Sequence, residues 1–224
     1  MLSPARRLLK FFHPEGIPLP GTIAYNAISK TRVFQVNYEI IARDIIYYCP
    51  EGSILDIGTG PGWLLEKLHS ASPNLQLTGI DISPSMIKKA KKNLAKSGLS
   101  DCIEIALGNA SDILCSDNYF DAVVSTGSIH HWKAPTEGLN EIHRVLKPDG
   151  YALIYDLLSD TPLPVLKKSA REFGRFRMLM LWLHAYEEPF YSLKDFEHLA
   201  DNTFFKKGST KFVSVLCCLV LRKE

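Results

Sequence analysis

Two rhythms of apolar residues alternate along this chain. Short continuous apolar runs around Ile54-Leu55, Leu75–Ile80, Ile103–Leu107, Phe120–Val124 and Tyr151–Tyr155 have the length of buried strands. Between them, apolar positions recur at helical spacing. Val33, Val36 and Ile40 predict a helix from about Thr31 to Tyr48, and residues 62–71 predict a second. Ile87, Ala90 and Leu94 mark a third, and Leu139, Ile142 and Leu146 a fourth, stopped by Lys147-Pro148-Asp149-Gly150. Strands that alternate with helices predict an α/β fold with a parallel sheet covered on both faces.

Polar residues punctuate the strand ends. Asp56, Asp81, Asn109, Ser125 and Asp156 all fall at predicted carboxyl ends, where open α/β sheets bind ligands. After the first strand comes Asp56-Ile57-Gly58-Thr59-Gly60-Pro61-Gly62. Glycines at alternate positions allow a sharp turn and a close backbone approach to a ligand. The following helix start offers unpaired N–H groups and partial positive charge. A dinucleotide site would want a third glycine where Trp63 stands, and would not welcome Asp56 beside a pyrophosphate. Asp81, about twenty residues beyond the glycines, can accept hydrogen bonds from both hydroxyls of a ribose. Ser83-Pro84 reads as an N-cap with proline in the first turn.

Composition adds limits. The chain has 224 residues, 46% hydrophobic and 22% charged, which is enough for one domain with a full core. A net charge of +2 gives no electrostatic reason to expect nucleic acid. Lys88, Lys89, Lys91 and Lys92 lie between apolar helix positions and read as a solvated face. Cys49, Cys102, Cys115, Cys217 and Cys218 show no metal-ligand spacing, so no metal is expected. Their odd number, without a secretion signal, points to reduced thiols in a cytoplasm. The longest apolar run, Phe212 to Leu221, is far short of the roughly 20 residues that span a bilayer, so no transmembrane segment is expected.

Residues 1–30 read as an arm. Arg6, Arg7 and Lys10 interleave with Leu8, Leu9, Phe11 and Phe12, and a Pro/Gly-rich stretch follows. The arm either packs on the domain or forms a lid over the site, with Tyr25 and Tyr38 as contacts. Residues 31–224 form the domain, with a helical insertion at about 157–202. Within it, Val165 to Tyr186 looks helical, and Ser192 with Asp195 suggests a capped helix to about Ala200. Phe204–Lys207 and Phe212–Leu221 predict two strands around Gly208. The apolar run Met178–Leu183 suits an acceptor cover, core packing or a homodimer contact equally.

Taken in order, Leu55–Gly62, Gly79-Ile80-Asp81-Ile82-Ser83-Pro84-Ser85-Met86, Asp121–Ser125 with His130-His131-Trp132, and Leu146–Gly150 resemble a class I S-adenosylmethionine (SAM)-dependent methyltransferase. The branch is the small-molecule one, similar to ubiquinone/menaquinone C-methyltransferases (methyltransferase type 11 domain). The resemblance covers residues 52–156. It implies a Rossmann-like three-layer sandwich whose seven-stranded sheet is mostly parallel, the last strand antiparallel. It implies SAM as cofactor, with Gly58, Thr59, Gly60 and Gly62 facing its methionine and ribose and Asp56 near its ammonium group. It puts Asp81 on the ribose hydroxyls and Ile82 on the adenine, with Met86 beside them. Asn109 and Ala110 would meet the adenine edge, Ser125 the sulfonium, and Tyr25 the cofactor from the arm. Asn109 departs from the family, where Asp is frequent; its amide can accept and donate.

Methyl transfer from a sulfonium needs alignment and exclusion of water, and a base only where the nucleophile must lose a proton. His130 and His131 are the candidate catalytic residues, although such a pair before a tryptophan recurs in this branch as structure. The chain has Ser125-Thr126-Gly127-Ser128 where nucleic-acid amino-methylating enzymes carry an Asn/Asp-Pro-Pro-aromatic tetrad. A small-molecule or lipid-like acceptor is therefore expected. The alternatives are an RNA or protein methyltransferase using the basic stretch Lys167–Arg177, or a non-catalytic SAM-binding module.

Overall fold

The apolar runs form strands and the helical rhythm forms helices, as expected. The computed structural model describes residues 29–174 and 189–224. The strands are β1 (Ser53–Ile57), β2 (Gln76–Asp81), β3 (Ile103–Leu107), β4 (Phe120–Thr126), β5 (Leu146–Asp156), β6 (Ser209–Val213) and β7 (Leu216–Arg222). They lie in one sheet in the order β3-β2-β1-β4-β5-β7-β6. β1 to β5 are parallel, and β7 runs antiparallel between β5 and β6.

The helices are α1 (Arg32–Tyr48), α2 (Trp63–Ala71), α3 (Pro84–Lys96), α4 (Pro135–Val145), α5 (Leu163–Phe173) and α6 (Leu193–Glu197). Strand side chains alternate between faces, and the core divides accordingly. Ile54, Ala122, Val124, Leu153, Tyr155 and Cys218 pack with α1, α2 and α3. Leu55, Val123, Ala152, Ile154 and Cys217 pack with α4, α6 and Phe205. Burial pushes the Cys217 thiol up to about 12, so it is a core thiol.

Four local readings change. Along α1 the deep stripe is Tyr38, Ile41, Ala42 and Ile45. Val33, Val36 and Ile40 are half-buried instead, packing with α5 residues Leu166 and Ala170 around Val215 at the β6–β7 turn. Leu146 does not belong to α4: the helix stops at Val145, and Leu146 pairs with Phe120 as strand. The terminal hairpin turns at Ser214-Val215, not at Gly208. Ser214 takes φ +56°, which breaks the apparently continuous run Phe212–Leu221. Phe204–Lys207 is not a strand: Phe205 turns into the core, and Lys206 has φ +62°. Gly208 is instead a close approach, because a Cβ there would lie 2.5 Å from Leu221. The helix expected over Val165–Tyr186 is seen as α5; residues 175–188, including Met178–Leu183, lie outside the described residues, as does the arm through residue 28.

Strand order reverses between β1 and β4, whose last paired residues are Ile57 and Ser125. In doubly wound sheets the ligand crevice opens there, beyond the strand carboxyl ends.

Candidate functional site

The glycine turn sits at that reversal. Gly58, Gly60 and Gly62 have φ of +73°, +53° and +81°, a left-handed region that favours glycine. Gly58 and Thr59 both donate their N–H to the Ile80 carbonyl, at 2.8 and 3.0 Å, which ties the turn to the end of β2. Asn93, buried on α3 between Ala90 and Leu94, donates to the Pro61 carbonyl at 3.0 Å. A built Cβ on Gly58 would lie 2.3 Å from Ser128 Oγ. The loop after β4 therefore rests directly on the turn. Ser128 Oγ in turn accepts from the Trp132 indole N–H at 3.0 Å.

Asp81 is buried and fixed. Its Oδ2 accepts from the Gly60 N–H at 2.9 Å and its Oδ1 from the Ser83 N–H at 2.8 Å. Burial raises its carboxyl above the usual range, and the two N–H groups oppose the rise. Each oxygen has further acceptor capacity, so the fixed carboxylate can take additional hydrogen bonds. Ser83 is the N-cap of α3 with Pro84 behind it, but its hydroxyl makes no capping bond. Asp56, at the end of β1, is 2% exposed. Burial pushes its carboxyl up to about 7, with Thr59 opposing and the Asp81 charge adding to the rise.

Ile82 is half-buried beside Asp81, and Met86 is buried on the first turns of α3. At the end of β3, Asn109 Oδ1 accepts from the Ser111 N–H at 3.0 Å, so its carbonyl stabilises its own turn. Ala110 is buried against the same turn. Ser125 at the end of β4 is fully buried, and its Oγ has no hydrogen-bond partner among the described residues; Thr126 Oγ1 next to it is in the same condition. Unpaired buried hydroxyls are costly. A glycine turn, a fixed carboxylate, a buried acid and the unpaired Ser125 hydroxyl at one edge of the sheet fit a cationic nucleoside such as SAM.

The two histidines separate. Both lie in a 3-10 turn, Ile129–His131. His130 is buried, and its Nδ1 lies 2.8 Å from Asp156 Oδ2 and 3.0 Å from Oδ1. The His130 N–H also donates to Asp156 Oδ2 at 3.2 Å, and the Leu157 N–H to Oδ1 at 2.8 Å. His131 is half-buried, its ring centroid 3.9 Å from that of His130. Phe190 flanks His130 at 4.2 Å. Tyr38 faces the core from α1, and Tyr25 lies outside the described residues.

Sequence reasoning missed Asn93, Ser128 and the Asp156–His130 pair. A polar residue inside the apolar stripe of α3 was the signal for Asn93. The pair spans 26 residues and becomes adjacent only through the pairing of β4 with β5.

Comparisons with known proteins agree with this geometry. Residues 55–154 match a family described as a methyltransferase domain. The ubiquinone/menaquinone biosynthesis C-methyltransferase UbiE of Geotalea daltonii is 33% identical over 135 residues, 60% of this chain and 57% of that protein. The demethylmenaquinone methyltransferase of Bacteroides fragilis is 33% identical over 113 residues, 50% of this chain and 46% of that protein. The chain thus spans about half the length of the curated relatives it matches. A crystal structure from Methanococcus maripaludis, of a protein provisionally named an S-adenosyl-L-methionine-dependent methyltransferase, superposes with a TM-score of 0.72 at 25% identity, covering 94% of this chain and 96% of that one. Over residues 55–154, just under half of the chain, the motif order, the sheet topology and these matches are those of a methyltransferase domain.

Proposed function

We propose that this chain transfers the methyl group of SAM to a small aromatic acceptor of the quinol type. The observation that carries the reading is the Gly58–Gly62 turn locked to Asp81 at the β1/β4 reversal, with the unpaired hydroxyl of Ser125 at the same edge. When bound, SAM supplies an activated methyl group on a cationic sulfur. The chain's own residues bind and orient. Asp81 takes the ribose hydroxyls, Asp56 the ammonium group, and Ile82 and Met86 the adenine surface. Asn109 meets the adenine edge through its amide N–H, with Ala110 beside it. Gly58, Thr59, Gly60 and Gly62 line the methionine, and Ser125 faces the sulfonium.

The acceptor class rests on the relatives, whose names specify menaquinone, ubiquinone or hydroquinone methylation. No helix among the described residues is long and apolar enough to cross a membrane. The free thiols support a reducing, cytoplasmic setting.

The test uses methyl-deuterated SAM with reduced 1,4-naphthohydroquinone and prenylated benzoquinols, read by mass spectrometry. One labelled methyl per quinol is expected. SAM binding without any labelled quinol, alongside labelling of RNA or protein, would sink the acceptor assignment.

A further inference from the structure

The Asp156–His130 pair is a group that cofactor binding leaves unused. Its side chains are 1% and 5% exposed, deeper than an incidental surface pair. Each Asp156 oxygen already receives a backbone N–H, from Leu157 or from His130 itself. A carboxylate so engaged acts toward the imidazole as an acceptor. His130 Nδ1 must then carry the hydrogen, and in the neutral ring the lone pair lies on Nε2. The ring is further confined by Phe190 and His131, at centroid distances of 4.2 and 3.9 Å. The turn that carries it rests on the glycine turn through Ser128 and Gly58.

We propose that Asp156 is a positioning residue which holds His130 in the Nδ1–H tautomer, so that His130 Nε2 serves as the base that takes a proton from the acceptor's hydroxyl. This rests on the methyl-transfer reading. The acceptor's O–H bond breaks, the proton moves to Nε2, and the electron pair stays with the acceptor. The acceptor's oxygen then bonds to the methyl carbon while the carbon–sulfur bond breaks, its pair remaining on sulfur; where a ring carbon bonds instead, that carbon's hydrogen leaves as a proton and the oxygen takes one back. The imidazolium returns its proton to solvent. A phenolic hydroxyl with a pKa of about 10 is only roughly 0.1% ionised at pH 7. A positioned base is worth about 10²–10⁴ in rate against that deficit. A carboxylate that fixes the imidazole tautomer serves the same end in the serine-protease triad.

The experiment has two readouts. Long-range ¹H–¹⁵N NMR on histidine-labelled protein should show His130 with a protonated Nδ1 and a bare Nε2. In Asp156→Asn the side-chain amide can donate to Nδ1, and the tautomer should reverse. Turnover with reduced 1,4-naphthohydroquinone should fall about 10²–10⁴-fold in kcat, with KM and the calorimetric affinity for S-adenosylhomocysteine within about threefold. His130→Asn, which keeps an N–H donor toward Asp156 but has no base, should show the same kcat loss. A bare Nδ1 in the wild type, or wild-type kcat in either variant, would overturn the proposal. Parallel loss of kcat and S-adenosylhomocysteine affinity in Asp156→Asn would also overturn it, since that marks a structural role. Failure of the methyl-transfer reading looks different: the wild type would bind no S-adenosylhomocysteine and label no quinol, whereas the tautomer is measured without turnover.

Discussion

Gly58→Ala isolates the close contact between the glycine turn and the loop after β4. Two costs apply. A non-glycine residue at φ +73° costs about 1–2 kcal/mol for the left-handed backbone alone. The new methyl would also lie 2.3 Å from Ser128 Oγ and 2.7 Å from Ser128 Cβ, so the loop must retreat. Retreat breaks the Ser128–Trp132 hydrogen bond and strands a buried indole N–H, at about 1–3 kcal/mol. We expect a total of about 2–5 kcal/mol in urea unfolding. Gly127→Ala is the control: φ is +61°, but nothing lies within 4 Å of its Cβ, so only the backbone cost of about 1–2 kcal/mol applies. Calorimetry should add a loss of at least about tenfold in S-adenosylhomocysteine affinity for Gly58→Ala, equivalent to about 1.4 kcal/mol. If the two variants unfold within about 0.5 kcal/mol of each other and bind alike, the contact does not matter and the argument fails.

Other expectations follow from the same edge of the sheet. Asp81→Ala should weaken SAM binding at least about tenfold, since the proposed ribose contacts and the hold on Gly60 would both be lost; unchanged affinity by calorimetry would refute the ribose role. For Asp56 the sign is that of a raised acid: the folded chain keeps a proton up to about pH 7 that the unfolded chain releases near 3.8, so stability present below that range is lost as pH rises through it. The loss is on the order of 4 kcal/mol, and Asp56→Asn should flatten the urea-midpoint profile between pH 4 and about 7 while weakening SAM binding. Tyr155→Phe removes the hydroxyl that donates to Asp44 Oδ2 at 2.7 Å beneath α1; we expect a stability loss of about 1.5–3 kcal/mol with cofactor affinity unchanged.

Much of this site was legible because each strand of the parallel sheet announces its own end. Continuous apolar runs stop at Asp56, Asp81 and Ser125, and parallel pairing brings all three to one edge. The terminal hairpin was misread for a local reason. Ser214-Val215 turns without glycine or proline, so nothing in Phe212–Leu221 interrupts the apolar run. Asn109 was read only in part: its carbonyl accepts from the Ser111 N–H, a bond within its own turn that residue type alone does not reveal. The Asp156–His130 pair was invisible for another reason. No periodicity links residues 26 apart; only the register that sets Thr126 beside Tyr155 carries the loop after β4 over the end of β5. Residues that act alone at a strand end can thus be read from the chain, while those that act on one another depend on register. Asp56 and Asp81 show the difference. Both read as ligand contacts, yet Asp81 is compensated by two backbone N–H groups and Asp56 is left with a burial cost that the Asp81 charge enlarges. A cation arriving beside Asp56 offsets that cost, so binding and stability at this edge should rise together with SAM.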